Sequence, residues 1–390
     1  MQINKPENTL AHLSVGSKEI IAARISFFIP GFILATWAPM IPMVKSRLNL
    51  QADVLGMLLL CIGISAFIFM PLTGVLVQRL GCKKVVISSC ALMAVTSVLL
   101  SCLPNIWSYA ISLAFFGAVM GAGDVSMNTN AVIVEKIAGR RLLSGMHAFW
   151  SIGCFASAGM FSILASAGLN VTLIASLHCA IVLILLTVFG RHLLNYKSPG
   201  GEKSFAIPHG IVIIFGVIAC ISFLVEGAVM DWSGILLTEI KHIDMSLAGT
   251  GYAIFSVAML VMRLLGDKAV QMLGEEKAVI GGALLTAAGF AFVVGFDNLY
   301  LNFLAFAFIG LGCANIVPIF YSLLKYQKDM PISAAVTAIT SLGYTGVILG
   351  PALLGFIAHS INISAVFELL AFLLIVLAVI SKYVFCKLKM

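Results

Sequence analysis

Long apolar runs separated by short polar turns dominate the chain. They fall at about 20–44, 54–79, 84–103, 106–134, 143–167 and 171–190, then again at about 207–237, 246–266, 278–296, 299–324, 333–358 and 362–386. One membrane-spanning helix needs ~20 apolar residues, and the runs meet that length. They are continuous rather than alternating in ~10-residue segments, which argues against an outer-membrane barrel. The pattern therefore predicts an all-α membrane protein with twelve transmembrane helices in two pseudo-symmetric six-helix bundles. Between the two series lies RHLLNYKSPGGEKSF, the only long polar stretch with a Pro-Gly-Gly breaker. The expected organisation is a tail over 1–19, a first bundle over 20–190, a linker over 191–206, and a second bundle over 207–390 that ends in a short tail.

Composition and charge sharpen that reading. Hydrophobic residues make up 61% of the 390 positions and charged residues 10%, against ~25% charged in ordinary soluble domains. The mean hydropathy is +1.10. A soluble fold could not hide that much apolar surface, nor cover its exterior with so few charges. With twelve spans both termini share one side. The tails and loops of that side, with the helix ends beside them, hold 20 of the 23 Lys and Arg; the other side holds Lys45, Arg47 and Lys241. Positive charge favours the cytoplasmic side, so both termini are expected in the cytoplasm. The net charge of +7 comes from short clusters between apolar runs, not from a basic domain, so no nucleic-acid partner is expected. Nine cysteines show no Cys-x-x-Cys pair and read as packing residues rather than a disulfide framework or metal site. The polar start, MQINKPENTLAHLSVGSKE, has no small-residue cleavage site after a short apolar core and reads as a cytoplasmic tail.

Internal similarity supports two repeats. GVLVQRLGCKK (74–84) ends the second run and RLLGDKAVQMLGEEK (263–277) ends the eighth. Ser-Ile-Gly at 151–153 precedes Ser-Leu-Gly at 341–343 by 190 positions, and FFGAVMGAG in the fourth run matches FAFIGLGCAN in the tenth. Parallel half-repeats describe one transporter architecture, with its site near mid-bilayer between the halves. Channels usually gain symmetry by oligomerising, so repetition within one chain favours a monomeric carrier.

Gly74-x-Leu76-x-x-Arg79-x-Gly81-x-Lys83 resembles the signature between the second and third helices of the major facilitator superfamily. Gln78 stands at the usual Asp position and Cys82 replaces a usual basic residue, while the C-terminal copy retains Arg263, Gly266 and Asp267. Glycines there permit a tight turn and close helix approach. Further motifs occur in order: Phe-Phe-x-x-Gly-x-x-x-x-x-Trp-Ala-Pro-x-x-Pro (27–42), Gly-Asp-x-Ser-Met-Asn (123–128), Glu135, His147-x-x-Trp150-Ser151-x-Gly153, Glu226-Gly-x-x-x-Asp231-Trp232 and Gly343-Tyr-x-Gly-x-x-x-Gly350-Pro351. Together they resemble the bacterial inner-membrane YbjJ-like branch of that superfamily, itself distantly similar to fucose permease. The resemblance covers nearly the whole chain and implies a carrier without naming a cargo. Gly117 stands where many proton-coupled drug exporters carry Arg. The exporter-type Gly-x-x-x-Gly-Pro is missing from the fifth run, with an analogue at 346–351. Both departures weigh against drug/proton antiport.

Ionisable residues within the runs carry the expected chemistry. A charge at the bilayer centre costs ~2.5–3.5 kcal/mol, so such groups face a partner or a wet cavity. Glu226, read as an isolated acid on a cavity-lining seventh helix, is the first candidate for proton coupling or cargo binding. Asp124 is the second. Asn128 lies on the same helical face as Asp124, four residues on, and Arg24 has a comparable depth that would let it pair with Asp124. His147 titrates ordinarily near neutrality and so permits proton exchange. Trp37 and Asn315 offer stacking and hydrogen bonding to a polar cargo. Gating falls to Asp231 and Trp232 at the far end of the seventh helix, and to Gly74, Arg79, Gly81, Lys83, Arg263, Gly266 and Asp267 in the two signatures. Glycine-rich faces (Gly117, Gly121; Gly346, Gly350) are expected to let helices pack closely. His178 and Glu368 lie on helices that are peripheral in this architecture and are set aside.

These readings converge on a secondary active transporter for a small polar, sugar-like metabolite, driven by protons and surrounded by membrane lipid. No P-loop GxxxxGK[ST] occurs, so ATP is not the expected energy source, and no cofactor is expected. The alternatives are a drug/metabolite–proton antiporter and a non-transporting membrane sensor. A sensor would normally append a soluble output domain, and the longest polar insert is about fifteen residues. An enzyme would need a nucleophile–base or metal-ligand constellation, such as HExxH, and none is present.

Overall fold

The computed structural model describes residues 13–37, 40–41, 44, 47–49, 52–197, 208–243, 250–328 and 330–388. Residues 1–12 of the expected tail, 198–206 of the expected linker, Lys45, and parts of the Trp-Ala-Pro-x-x-Pro motif lie outside the described residues. Among the described residues there is no β-strand.

Among the described residues twelve long helical stretches follow one another: α1 Ser17–Trp37, α2 Ala52–Leu80, α3 Cys82–Cys102, α4 Ile106–Ala138, α5 Leu143–Ser166, α6 Val171–Phe189, α7 Ile211–Ile235, α8 Thr250–Leu273, α9 Glu275–Gly295, α10 Leu299–Leu323, α11 Ile332–Ser360 and α12 Ile363–Leu388. Eleven are long and apolar enough to cross a membrane; α8, which carries Arg263, Asp267 and Lys268, falls outside that set. Two differ from the expected runs. α7 continues into a π turn at Leu236–Ile240. α10 is not continuous but breaks at Ala314–Asn315, leaving Leu299–Cys313 and Ile316–Leu323. The chain divides into two compact units, one built on α1–α6 and the other on α7–α12. Leu143–Gly145 at the start of α5 count with the second unit, and Met330–Thr337 with the first.

Local sequence sets the helix ends. Asn105 before α4 accepts the Ser108 N–H at 2.9 Å, and Asn170 before α6 accepts that of Leu173 at 2.9 Å. Asn298 before α10 accepts those of Tyr300 and Leu301 at 3.0 and 3.2 Å, and Asn362 caps α12 through Ala365 at 2.8 Å. Each such cap satisfies a backbone donor the helix leaves open, at ~1 kcal/mol. Gly81 (φ +86°, ψ 152°) and Gly274 (φ +82°, ψ 155°) precede α3 and α9 in a conformation that L side chains rarely adopt.

Those two glycines lie 193 positions apart and fix the register of the repeat. The offset recurs in packing. A Cβ on Gly117 of α4 would collide with the Ile62 carbonyl of α2, and one on Gly310 of α10 would collide with the Phe255 carbonyl of α8, both residues shifted by 193. Gly153 of α5 sits against the Phe28 carbonyl of α1, and Gly346 of α11 against the Cys220 carbonyl of α7. Trp107 and Tyr300, also 193 apart, are each 78% exposed at the start of α4 and α10, where amphipathic rings suit a membrane interface. The offset of 190 expected from Ser-Ile-Gly and Ser-Leu-Gly is therefore corrected to 193. The correction pairs Gly81 with Gly274, and it sets Gly74 opposite Asp267 and Met70 opposite Arg263.

Large apolar side chains such as Ile111, Ile163 and Phe356 are exposed on the helix exteriors, as a lipid-facing surface requires. All nine cysteines are free.

Candidate functional site

In the second unit, Glu226 of α7 is not isolated. Its Oε1 accepts a hydrogen bond from an Arg263 Nη2–H of α8 at 3.0 Å, with Glu226's side chain one-quarter exposed and Arg263's 9% exposed. Arg263 Nε–H donates in turn to the Ala314 carbonyl at 3.3 Å. That oxygen is available because the residue four positions on is Pro318, which has no N–H to donate. Arg263, expected in a gate, and Glu226, expected alone, thus form one charge pair that joins α8 to α7. Apolar surroundings explain the pairing: a lone embedded charge costs several kcal/mol, and an opposite charge with hydrogen bonds offsets much of it.

Asn315, the next residue along the break, is 8% exposed, and its Oδ1 has no hydrogen-bond partner. Gly266 makes room for it, since a Cβ there would run into Asn315 Oδ1. Asp267 accepts the backbone N–H groups of Ser144 and Gly145 at 3.1 and 3.0 Å, one carboxylate oxygen to each. A carboxylate suits that place, because the first turn of a helix presents open N–H groups and a partial positive charge. Asp231 is exposed, while Trp232 is half-buried with its Nε1 lacking a hydrogen-bond partner. These two lie one to two helical turns beyond Glu226.

At one end of this unit Lys241 donates to the Val294 carbonyl at 3.0 Å and to Asp297 at 2.8 Å, tying the α7 end to the α9–α10 turn. The Lys241 ammonium holds the Asp297 carboxyl below the usual carboxylate range, through its hydrogen bond first and its charge second. The start of α9 and the last turns of α12 meet through Lys382 and Glu276 at 2.5 Å.

The first unit places its candidates differently. Asn128 is 2% exposed and donates from Nδ2 to the Asp124 carbonyl at 3.0 Å and to Asp124 Oδ1 at 3.2 Å. The helical face shared by these two residues is thus a hydrogen-bonded one. Arg24 does not form the ion pair expected with Asp124. Its guanidinium lies over the Phe149 ring of α5, 5.7 Å from the centroid, and its buried Nε has no hydrogen-bond partner. The face of an aromatic ring attracts a cation, which gives this charge a destination other than a carboxylate. The His147 ring sits 5.0 Å from Phe27. Trp37 is buried and donates from Nε1 to the Tyr109 hydroxyl at 3.4 Å.

In the first signature Gly74 is buried and Arg79 exposed. Lys83 donates to the Arg191 carbonyl at 2.6 Å, and Cys82 N–H donates to the Tyr196 carbonyl at 2.8 Å. The turn at Gly81 is packed against residues 195–197.

Two features escaped the sequence. One is the Glu226–Arg263 pairing itself, whose signal was present as opposite charges well inside neighbouring spans. The other is a buried polar cluster in the first unit. There Thr36 of α1, Ser157 of α5 and His178 of α6 meet, with His178 Nδ1 at 2.7 Å from Thr36 Oγ1 and 3.3 Å from Ser157 Oγ. The two hydroxyls are 2.8 Å apart, and Thr36 also donates to the Phe32 carbonyl. Setting His178 aside as peripheral missed this cluster; the residue is 2% exposed, although on a helix with many lipid-facing positions. Among the described residues, no group of His, Cys, Asp and Glu is placed to hold a metal ion.

Comparison with known proteins places this geometry. The family profile described as Major Facilitator Superfamily matches residues 24–324 and 214–387. An uncharacterized MFS-type transporter of Yersinia pestis is 38% identical over 370 residues, covering 95% of this chain and 96% of that protein. Among solved structures, the fucose:proton symporter FucP of E. coli is similar with a TM-score of 0.73 at 12% identity, covering 93% of this chain and 98% of that one. The proton:xylose symporter XylE, bound to 6-bromo-6-deoxy-D-glucose, is similar with a TM-score of 0.75 at 12% identity, covering 96% and 95%. At those identities the structures speak for the fold alone. The profile and the Yersinia relative span nearly the whole sequence, and the chain belongs to the major facilitator superfamily as a multi-pass membrane transporter.

Proposed function

We propose that this chain is a secondary active transporter that moves a small polar metabolite across a bacterial inner membrane by alternating access, coupled to protons, with both termini cytoplasmic. The observation that carries the reading is the Glu226–Arg263 ion pair, held at 3.0 Å between α7 and α8. A carboxylate in that position has two stable arrangements. Ionised, it neutralises Arg263; protonated, it needs no counter-charge and Arg263 is released. A group that exchanges a proton and a charged partner together is a switch on which a proton gradient can act. One proton across 100 mV supplies ~2.3 kcal/mol, so a single titrating group suffices for a substantial cargo gradient. The embedded carboxylate, arginine and asparagine support a polar cargo, and the skew of Lys and Arg supports the orientation.

The reading is tested with the purified chain in proteoliposomes, screened for uptake of sugars and sugar acids under an imposed pH gradient. Glu226→Gln keeps the shape and part of the hydrogen bonding but removes titration. The parent is expected to accumulate cargo, whereas the variant exchanges it at equal concentrations without accumulating it. A variant that accumulates cargo like the parent, with unchanged pH dependence, overturns the coupling role. Orientation is read by labelling single cysteines from outside whole cells, on a background without the native ones. Positions 45 and 241 are expected to react with an impermeant reagent, and positions 84, 197 and 328 are not.

A further inference from the structure

The environment of Arg263 assigns more than proton exchange. We infer that the Arg263–Asn315 corner of the second unit binds the carboxylate of a hydroxylated acid, so that the cargo is an anion of the hydroxy-acid or sugar-acid class rather than a neutral sugar. The inference rests on the proposed proton coupling at Glu226 and names the substrate that such coupling would serve.

Three observations carry it. Arg263 is the one guanidinium among the described residues that is both embedded in α7–α12 and paired to a carboxylate. Its Nε stays fixed on the Ala314 carbonyl, so loss of Glu226 frees the Nη side of a fork already held in place. A planar guanidinium matches a carboxylate in two parallel hydrogen bonds. Next to it, Asn315 is more than nine-tenths buried with an Oδ1 that no protein group satisfies. Buried acceptors without a donor are costly, and this one lies against Gly266, one helical turn from Arg263. A hydroxyl beside a carboxylate would supply the missing donor. Neutral sugars would satisfy Asn315 but leave the freed guanidinium without a counter-charge.

The elements packed on α7 add few competing charges. Arg263 of α8 is paired to Glu226, and Cys313 of α10 lies within electrostatic reach of both. Tyr344 of α11 meets Phe223 edge to face, and Glu368 of α12 is exposed. On α7 itself the next acid is Asp231, also exposed. Protonating Glu226 therefore leaves Arg263 as the dominant unpaired charge of the corner. The sequence of events is balanced: one proton enters on Glu226, one anion enters on Arg263, and the corner's net charge is the same before and after.

The test uses the purified full-length chain and matched probes that differ in one group: gluconate against glucose, glycerate against glycerol, and glycerate against propionate. Binding is read as thermal stabilisation, which rises with ligand occupancy by mass action, at pH 5.5 and 7.5. Gluconate or glycerate is expected to bind more tightly at the lower pH, approaching about tenfold per pH unit, the limit for one linked proton. The neutral counterparts are expected to bind weakly at both. Glu226→Gln should bind the acid tightly and without pH dependence, and Arg263→Gln should lose the preference for acid over neutral probe. Asn315→Ala should reduce glycerate to the level of propionate; should that variant fail to fold, Arg263→Lys, which keeps the charge but not the fork, should weaken the acid probes alone. Stabilisation by glucose or glycerol equal to that by the acids, acid binding untouched in Arg263→Gln, or no stabilisation by any acid overturns the inference. Acid binding as expected, together with undiminished pH-driven accumulation in Glu226→Gln, would instead overturn the coupling role and leave the anion site standing.

Discussion

The two units share a scaffold but not a chemistry. Gly117 against Ile62 becomes Gly310 against Phe255, and the turn at Gly81 becomes the turn at Gly274, each shifted by 193 positions. The polar groups do not follow. Arg263 and Asp267 correspond to Met70 and Gly74 of the first unit, and Asp124 and Asn128 correspond to Val317 and Tyr321. Close helix approach demands the same small residue wherever it occurs, because a Cβ either fits or collides. An embedded charge demands only a partner, and each half found a different one: Phe149 for Arg24, Glu226 for Arg263. Duplicated backbone geometry therefore coexists with an asymmetric set of polar side chains.

The largest expected effects test the shared scaffold. Val at Gly117 and Val at Gly310 each meet a backbone carbonyl, which cannot move aside as a flexible side chain can. Both variants are expected to abolish recovery of monodisperse protein on size exclusion in detergent. Ala at Gly159, which has nothing within 4 Å, is expected to be tolerated, with a gain of up to ~1 kcal/mol in helix propensity. If one of the two Val variants folds normally, the equivalence of the halves fails at that contact.

Next comes the asymmetry itself. Arg263→Met installs the residue that the first unit carries at the same place and strands Glu226. Losing one partner of a fully buried pair costs ~3–5 kcal/mol; the quarter exposure of Glu226 puts the expected loss at or below the bottom of that range. Transport should vanish. The double variant with Glu226→Gln should regain most of the stability, measured by thermal unfolding, but no gradient-driven accumulation.

A smaller effect is expected at His178. Replacing it by Phe leaves Thr36 and Ser157 hydrogen-bonded to each other, so the loss should be ~1 kcal/mol, with accumulation retained. Loss of accumulation at unchanged stability would move the coupling chemistry to the first unit.

Asp297 gives the smallest effect, and it depends on pH. Lys241 holds its carboxyl below the usual range, so the contribution is present above the ordinary carboxylate value of ~3.9 and fades as pH falls through the lower folded value. Asp297→Asn should lower the melting temperature slightly at neutral pH and leave it unchanged in strong acid.

Apolar run length alone made most of the architecture legible, since a helix crossing lipid must satisfy its backbone internally over ~20 residues. The break at Ala314–Asn315 went unread because both halves of α10 are equally apolar, although Pro318, four residues after Ala314, offers no N–H to that carbonyl and was the available signal. The repeat register was misplaced by three because Ser-Ile-Gly and Ser-Leu-Gly match in letters, whereas the packing equivalence runs from Gly153 to Gly346. Embedded ionisable residues could be found by position. Their partners could not, because Glu226 and Arg263 are 37 residues apart and depth alone had equally allowed Arg24 to meet Asp124.

The most direct measurement sets the two embedded acids side by side: pH-driven accumulation and equal-concentration exchange by Glu226→Gln and by Asp124→Asn, reconstituted at matched density. The expected result is that Glu226→Gln exchanges without accumulating, while Asp124→Asn does both. Accumulation by Glu226→Gln together with its loss in Asp124→Asn would contradict the assignment of coupling to the second unit.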